Sequence, residues 1–318
     1  MILTVTPNAA IDKTLRVANL QIGRRHRCEP GAIRAGGKGI NVARALRALS
    51  EPVIATGLAG GRTGELIVDD LTSSGIVSQF VQIADESRVT TIFIVPAGEG
   101  TETEVIEYGP EVSDGELASL EQTLTYLYRG ASAVVLAGSL PRHVPDDWYA
   151  RTIREARKAR VFTVLDSEGE ALRLGVAGEP DLVMPNQEEA EALVGFEFET
   201  TEDIVIGLET IAELGARSVV ITRNDGAYVL AREAGKTHVL RATIPPLDVV
   251  SSVGSGDALT AGFLAARRAE RPLPQVLRHA VACGAASTQE LVPGALDPKE
   301  VSRLIGSVEI EELAPTAA

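Results

Sequence analysis

Two hydrophobic patterns alternate along the chain. Short β-branched and aliphatic runs, such as "ILTVT" (Ile2 to Thr6) and "VIATGLAG" (Val53 to Gly60), read as buried strands. Between them, apolar residues recur at helical spacing. In "KGINVARALRAL" these are Ile40, Ala43, Leu46 and Leu49, and "GELIVDDLTSSG" reads as a helix from Gly64 that stops on Gly75. The alternation continues through "SAVVLAGS", "DDWYARTIREARKA", "RVFTVLDS", "DLVMPN", a helix opening at Gln187, "RSVVITR" and a further strand "LDVVSS". It predicts an α/β fold: a mostly parallel central sheet, helices on both faces, right-handed crossovers.

Two segments break this rhythm. Residues of about 13–36 and 88–107 alternate like strands without a helical partner. Strands that leave the sheet and pair with each other predict a small flap over its edge. Thr, Val and Ile dominate the second segment, which favours strands over irregular loops. No repeat, low-complexity tract or linker divides the chain, so a single domain over 1–318 is expected, frayed only at the tail "ELAPTAA".

Composition narrows the partners. Lys plus Arg number 30 against 44 Asp plus Glu, and the net charge of −14 argues against nucleic acid as the main partner. Cys28 and Cys283 lack metal or redox spacing and read as reduced thiols. "MILTVTPNAAID" has no basic segment or long apolar run, and no stretch approaches the ~18 apolar residues of a membrane span. The expectation is a cytoplasmic protein without a membrane partner.

Four clusters carry candidate chemistry. In "SSVGSGDALTAGF", Gly254, Ser255 and Gly256 form a turn into a helix whose first turn holds Asp257. Such a turn aims backbone N–H groups and the positive helix end at one point, which suits a phosphoryl group. Asp257 is then either a partner for the helix dipole or a general base beside an anion hole; turn chemistry leaves both open. In "AGGKGINVARAL", Gly36, Gly37 and Gly39 surround Lys38 at another helix mouth, with Asn41 following. Lys38 suits an anionic substrate group or is an exposed turn lysine. Asp12 in "PNAAIDKT" follows the first strand and reads as a ligand for hydroxyls or a turn acid. Asn186 and Glu189 in "MPNQEEAEAL" offer oxygen ligands for Mg²⁺, or an ordinary capping box. The P-loop pattern and the protein-kinase motifs are absent, as is the G-x-G-x-x-G of dinucleotide-binding folds after the first strand.

Taken in order, "TPNAAIDKT", "GGKGINVARAL", "AGSLP", "PNQEEAEAL" and "SSVGSGDALTAGF" resemble the phosphofructokinase B family of ribokinase-like sugar kinases, from about Ile2 to Ile305. "GGKGINVAR" looks like the branch of 1-phosphofructokinases and tagatose-6-phosphate kinases; minor 6-phosphofructokinases tend to have glycine where Lys38 stands. The resemblance implies a three-layer, Rossmann-like ribokinase fold with a β-sheet lid that often pairs two subunits into a homodimer. It implies Mg²⁺-dependent transfer from ATP to a sugar phosphate, first of all fructose 1-phosphate. Alternatives within the fold are tagatose 6-phosphate, fructose 6-phosphate, an unphosphorylated sugar or nucleoside, or a sensor without catalysis. Carried over residue by residue, Asp257 is the base, and Gly254, Ser255 and Gly256 supply the anion hole. Asp12 and Asn41 hold sugar hydroxyls. Lys38 and Arg88 hold the acceptor's phosphate, with Gly37 and Ser139 also lining the substrate. Glu189 and Asn186 organise Mg²⁺. Asn186, Thr222, Arg223, Gly226, Cys283 and Ser287, with Gly254 and Gly256, line ATP. The chain departs from the family at Met184, commonly Lys, in the shortened turn "TRNDGA", and at Thr90 and Thr91, where Asn is common after Arg88.

Overall fold

The computed structural model describes residues 1–95, 102–233 and 235–315; residues 96–101 of the second flap segment, residue 234 and the last three of the tail lie outside these. Strand β1 (Ile2–Thr6) is buried along its length. The chain then leaves the main sheet for β2 (Ala10–Arg16) and β3 (Glu29–Gly36), and returns through α1 (Lys38–Ala48) to β4 (Val53–Gly60) beside β1. Next come α2 (Gly61–Ser73) and β5 (Val77–Ile83), then β6 (Arg88–Ile94) and β7 (Glu102–Ile106), which join β2 and β3 in a second sheet. The wound half continues as α3 (Asp114–Leu127), β8 (Ala133–Ala137), α4 (Trp148–Lys158), β9 (Phe162–Asp166), α5 (Gly169–Val176), β10 (Leu182–Val183), α6 (Gln187–Val194), α7 (Thr201–Glu213) and β11 (Ser218–Arg223). A hairpin of β12 (Gly226–Glu233) and β13 (Lys236–Thr243) precedes α8 (Ser255–Arg268), α9 (Leu273–Ser287), α10 (Pro298–Leu304) and β14 (Glu309–Leu313).

The 10-stranded sheet has the order β14-β13-β12-β11-β10-β9-β8-β1-β4-β5. It is parallel from β11 to β5 and antiparallel from β11 to β14. Because side chains alternate across a strand, neighbouring residues feed two different cores. Ile2, Val135 and Val164 pack with α1, α2, α8 and α9, whereas Leu3, Leu136 and Leu165 pack with α3, α4, α5 and α7.

The smaller sheet, β3-β2-β6-β7, also has two faces. Asp12, Thr14, Thr90 and Ile92 are buried toward the main body. The register puts Ile33, Lys13, Thr91 and Val105 in one row on the other face, where Ile33 and Val105 are each 56% exposed.

Three expectations change. "LDVVSS" is not a strand: the amides of Val250 and Ser251 both turn to Thr288 O, at 2.8 and 3.1 Å, and that of Ser252 to the Glu102 carboxylate, so no ladder partner receives them. Within the tail, Glu312 and Leu313 are ordered by pairing with Leu240 and Val239. Helix α2 starts at Gly61, not Gly64.

Candidate active site

Most candidate residues gather at the carboxyl ends of the parallel strands and the amino ends of α1, α6 and α8, where ligands bind in open α/β sheets, with Asp12 and Arg88 on the lid strands and Cys283 and Ser287 in α9. Helices α3, α6 and α7 begin with reciprocal capping boxes, but α8 has no side-chain cap. It opens on Gly254 in the left-handed conformation, φ 81°. Ser255 N turns back to Ser252 O at 3.2 Å, which leaves the amides of Gly256 and Asp257 as the donors of this helix end. A Cβ on Gly256 would meet nothing within 4 Å, so open space adjoins the turn; on Gly254 it would lie 2.6 Å from Gly294 N.

Asp257 is buried, and its Oδ2 accepts from Asn41 Nδ2 at 2.9 Å. Burial pushes its carboxyl up to about 7, Asp166 adds to the rise, and the Lys38 ammonium opposes it. The result is a carboxylate tuned to the range a general base uses near neutrality. Asn41 is itself fixed, since its Oδ1 accepts from Arg44 Nη1 at 3.0 Å. Arg44 also donates to Ala35 O at 2.6 Å and to Pro293 O at 2.8 Å, tying β3 and the loop after α9 to α1.

Lys38 Nζ donates to Asp166 Oδ1 at 2.7 Å and Glu189 Oε1 at 3.0 Å. Burial would depress this ammonium, but the carboxylates of Asp166, Glu189 and Asp257 outweigh it and hold Lys38 above the usual lysine range. Glu189 Oε2 accepts from Asn186 N at 2.9 Å, and Asn186 Oδ1 accepts from Glu189 N at 2.8 Å. Glu189 and Asn186 therefore do form a capping box. Burial raises the Glu189 carboxyl despite Lys38.

Lys38 thus stands with Asp166, Glu189 and Asp257, and Arg88 with a different group. Arg88 Nε and Nη2 donate to Asn8 O at 3.3 and 3.2 Å, and Nη1 to Thr90 Oγ1 at 3.3 Å. Asp12 lies in β2, beside Thr90 in register. Burial pushes its carboxyl up to about 6, against the pull of Arg88 and Arg44. Asn8 Nδ2 donates to Ser139 Oγ at 3.1 Å, while Asn8 Oδ1 is buried without a partner. An orphan buried acceptor beside an arginine suits a ligand hydroxyl.

The residues expected around ATP divide. Asn186 and Thr222 meet in a backbone bridge between strand ends, while Gly37, expected at the substrate, opens α1 without a side-chain cap. Arg223 is engaged with Asp225 at 3.3 Å. Gly226 is needed by the hairpin itself, because a Cβ there would lie 1.9 Å from Ala242 O. Cys283 is fully buried, its sulfur against Gly262 of α8, and burial pushes its thiol up to about 12. Ser287 Oγ donates to Gly284 O at 3.0 Å. Both side chains serve helix packing, so any approach to a nucleotide there is through backbone and small surface.

Asp166, Asn8 and Arg44 were not singled out from the sequence. Asp166 ends the strand "FTVLD", the placement that pointed to Asp12, and Asn8 and Arg44 lie inside the quoted motifs. One further contact bridges lid and body. Glu102 at the start of β7 accepts from Ser252 Oγ at 2.8 Å and from Ser252 N at 3.1 Å, two residues before the glycine turn.

The donor set suits Mg²⁺. Among the described residues no group of three or more His, Cys, Asp or Glu forms a metal cage. Mg²⁺ commonly needs only one or two protein carboxylates beside phosphates and water. Asp166 and Glu189, already gathered around one cation, match that demand. The uncapped end of α8 with open space at Gly256 matches a phosphate.

A family model described as pfkB family carbohydrate kinase matches residues 6–299. Among solved structures, a tetrameric inhibited form of Escherichia coli phosphofructokinase-2 is 28% identical, with a TM-score of 0.85, covering 96% of this chain and 98% of that one. A Thermotoga maritima protein described as a possible 1-phosphofructokinase is 25% identical, with a TM-score of 0.89 and coverage of 98% and 99%. Arabidopsis thaliana ribokinase, solved with ribose and ATP, is 23% identical with a TM-score of 0.73 and coverage of 96% and 98%, and shares the fold.

Proposed function

The chain belongs to the pfkB family of carbohydrate kinases, and from that premise we propose that it moves the terminal phosphoryl group of ATP to a hydroxyl of a sugar phosphate, first of all fructose 1-phosphate. The observation that carries this reading is Asp257: a buried carboxyl near pKa 7, fixed by Asn41, in the first turn of a helix whose amino end is uncapped. Phosphoryl transfer asks for little else from a protein beyond positioning and charge stabilisation.

In this reading Asp257 takes the proton of the attacking hydroxyl as that oxygen bonds to phosphorus. The amides of Gly256 and Asp257 receive the charge that builds on the transferred group. Arg88 holds the phosphate already on the acceptor, and Asp12, with the orphan Asn8 Oδ1 and Ser139, orients sugar hydroxyls. Asp166 and Glu189 would hold Mg²⁺, which supplies charge neutralisation for the nucleotide phosphates. Lys38, bonded to both carboxylates, belongs to this donor side and not with Arg88. It supplies the cation that Met184 does not, since Met184 is buried with its sulfur 3.4 Å from Thr260 Oγ1.

The apolar residues on the outer face of the lid support self-association. Ile33 and Val105 lie on that face with Leu15 and Phe93 half-buried beside them, and a face of this kind suits a second copy of the chain.

The test is ATP turnover with fructose 1-phosphate, fructose 6-phosphate and tagatose 6-phosphate beside unphosphorylated fructose and ribose. We expect the highest kcat/KM with fructose 1-phosphate. Preference for unphosphorylated acceptors would overturn the role of Arg88, and absence of transfer to every acceptor would overturn the enzyme reading.

A further inference from the structure

An open cavity of about 740 Å³ lies at the opposite end of the sheet from the proposed active site. Its wall is made where the parallel strands begin: Phe162 starts β9, and Arg217 precedes β11. The lining brings Arg154, Arg157, Lys158, Arg160, Arg217 and Arg267 together in a chain whose net charge is −14. Among these cations, Arg157 meets Glu179, Lys158 meets Glu155, and Arg217 meets Asp181.

Helix ends account for part of this cluster. Arg157 and Lys158 fall in the last turn of α4, and Arg267 in the last turn of α8, where cations complement the dipole. Arg154 donates to Ala177 O at 3.2 Å, at the end of α5. Arg160 and Arg217 lie outside these helices and need another reason. Among the described residues no carboxylate forms an ion pair with Arg160. Arg217 shares Asp181, at 3.3 Å, with Thr163, whose N and Oγ1 bind the other carboxylate oxygen at 2.8 and 3.0 Å. The Arg267 guanidinium lies 3.6 Å over the Phe162 ring, which holds that cation flat against an apolar floor.

From this we infer that the cavity is a binding site for a small anion carrying two or more phosphates, separate from the kinase centre. Planar guanidinium forks match phosphate oxygens two at a time, and the volume lies within the range of small-molecule sites, about 300–1,000 Å³. The cations surround one open recess floored by Val161 and Phe162, an arrangement that suits a compact phosphorylated molecule. The occupant would bear on the first residue of β9, whose last residue, Asp166, bonds Lys38 about 13 Å away along the strand.

Inorganic tripolyphosphate is the probe, and hydrogen–deuterium exchange locates it. We expect slowed exchange in residues 154–162 and 215–218, beyond any slowing at 254–257 where the probe competes with ATP. Calorimetry on an Arg160→Ala, Arg217→Ala double variant should show this binding weakened at least about tenfold, the loss expected for charge-assisted hydrogen bonds, with the KM for ATP unchanged. Protection confined to 254–257, or equal affinity in the double variant, overturns the inference. Protection by RNA or an acidic peptide but not by tripolyphosphate also overturns it and assigns the face to a macromolecule.

Discussion

Replacing Asp257 by Asn should remove activity and, in the same step, stabilise the fold in a pH-dependent way. The native carboxyl is pushed from 3.8 to about 7, chiefly by burial and next by Asp166. The folded state therefore binds this proton more tightly than the unfolded state. The associated stability is fully present below about pH 4 and is lost as pH rises through about 7. That rise corresponds to about 4 kcal/mol, a ceiling that water entering the site lowers, so about 2 kcal/mol is a working value. With an unfolding entropy of about 2.1 cal/mol/K per residue over 318 residues, that is a rise of about 3 °C in Tm. The substituted amide does not titrate and still offers Asn41 an acceptor for the bond that Asp257 Oδ2 now receives. The assay is differential scanning calorimetry of both proteins from pH 4 to pH 8, beside ATP turnover at pH 8. The Tm difference should be near zero at the acid end and largest at pH 8, with kcat lowered about 10³-fold through loss of the base. A Tm difference that does not change with pH, or a variant less stable than wild type throughout, would refute the argument that Asp257 is a base held in its site against the cost of burying its charge.

Gly256→Ala should fold with an unchanged Tm, because its Cβ meets nothing within 4 Å, yet lose about 10²-fold in kcat by intruding where the phosphoryl sits; Gly254→Ala, with φ +81° and Gly294 N 2.6 Å away, should lower Tm, and equal behaviour of the two would contradict the open cradle. Lys38→Met should lower kcat about 10²-fold or more and weaken ATP more than the sugar phosphate, since its ammonium bonds Asp166 and Glu189; a KM increase confined to the sugar phosphate would return Lys38 to the acceptor side. Arg88→Ala should raise the KM for the sugar phosphate about tenfold or more while the KM for ATP holds, as measured by steady-state kinetics with each substrate varied. Glu102→Ala should raise both KM values by loosening the contact between lid and glycine turn, with Tm nearly unchanged; unaltered kinetics would mean the Ser252 contact has no part in assembling the site.

The inner strands of the wound half were legible because they are buried on both faces and read as unbroken apolar runs between helical periods; β1 and β4 begin and end where the pattern places them, and α6 starts where it predicts, whereas the half-exposed edge strand β5 was not read. The β12–β13 hairpin was missed because "AYVLAREAGKTHVLRAT" mixes charges into its turn and edge positions, and β14 because Glu309, Glu311 and Glu312 hide a strand that exists only through its partner β13. At the site, glycine turns at helix mouths are local features, so Gly37 and Gly254 could be read from adjacent residues. What a lysine meets across the fold is not local. Lys38 and Arg88 look alike in a sequence as two cations for one phosphate, and 128 residues of chain separate Lys38 from the Asp166 that claims it. The same distance explains why Asp166 escaped notice: its chemistry exists only after β9 is set beside β8 and α1 against β8. The substrate question turns on this separation of charges. If Lys38 serves the donor side, Arg88, held by Thr90 of the lid, must recognise the acceptor's phosphate largely alone within one subunit, while Asp12 holds sugar hydroxyls. Selectivity among sugar phosphates then rests on the small sheet that carries them, and a lid swapped from a kinase of different acceptor preference should carry that preference with it.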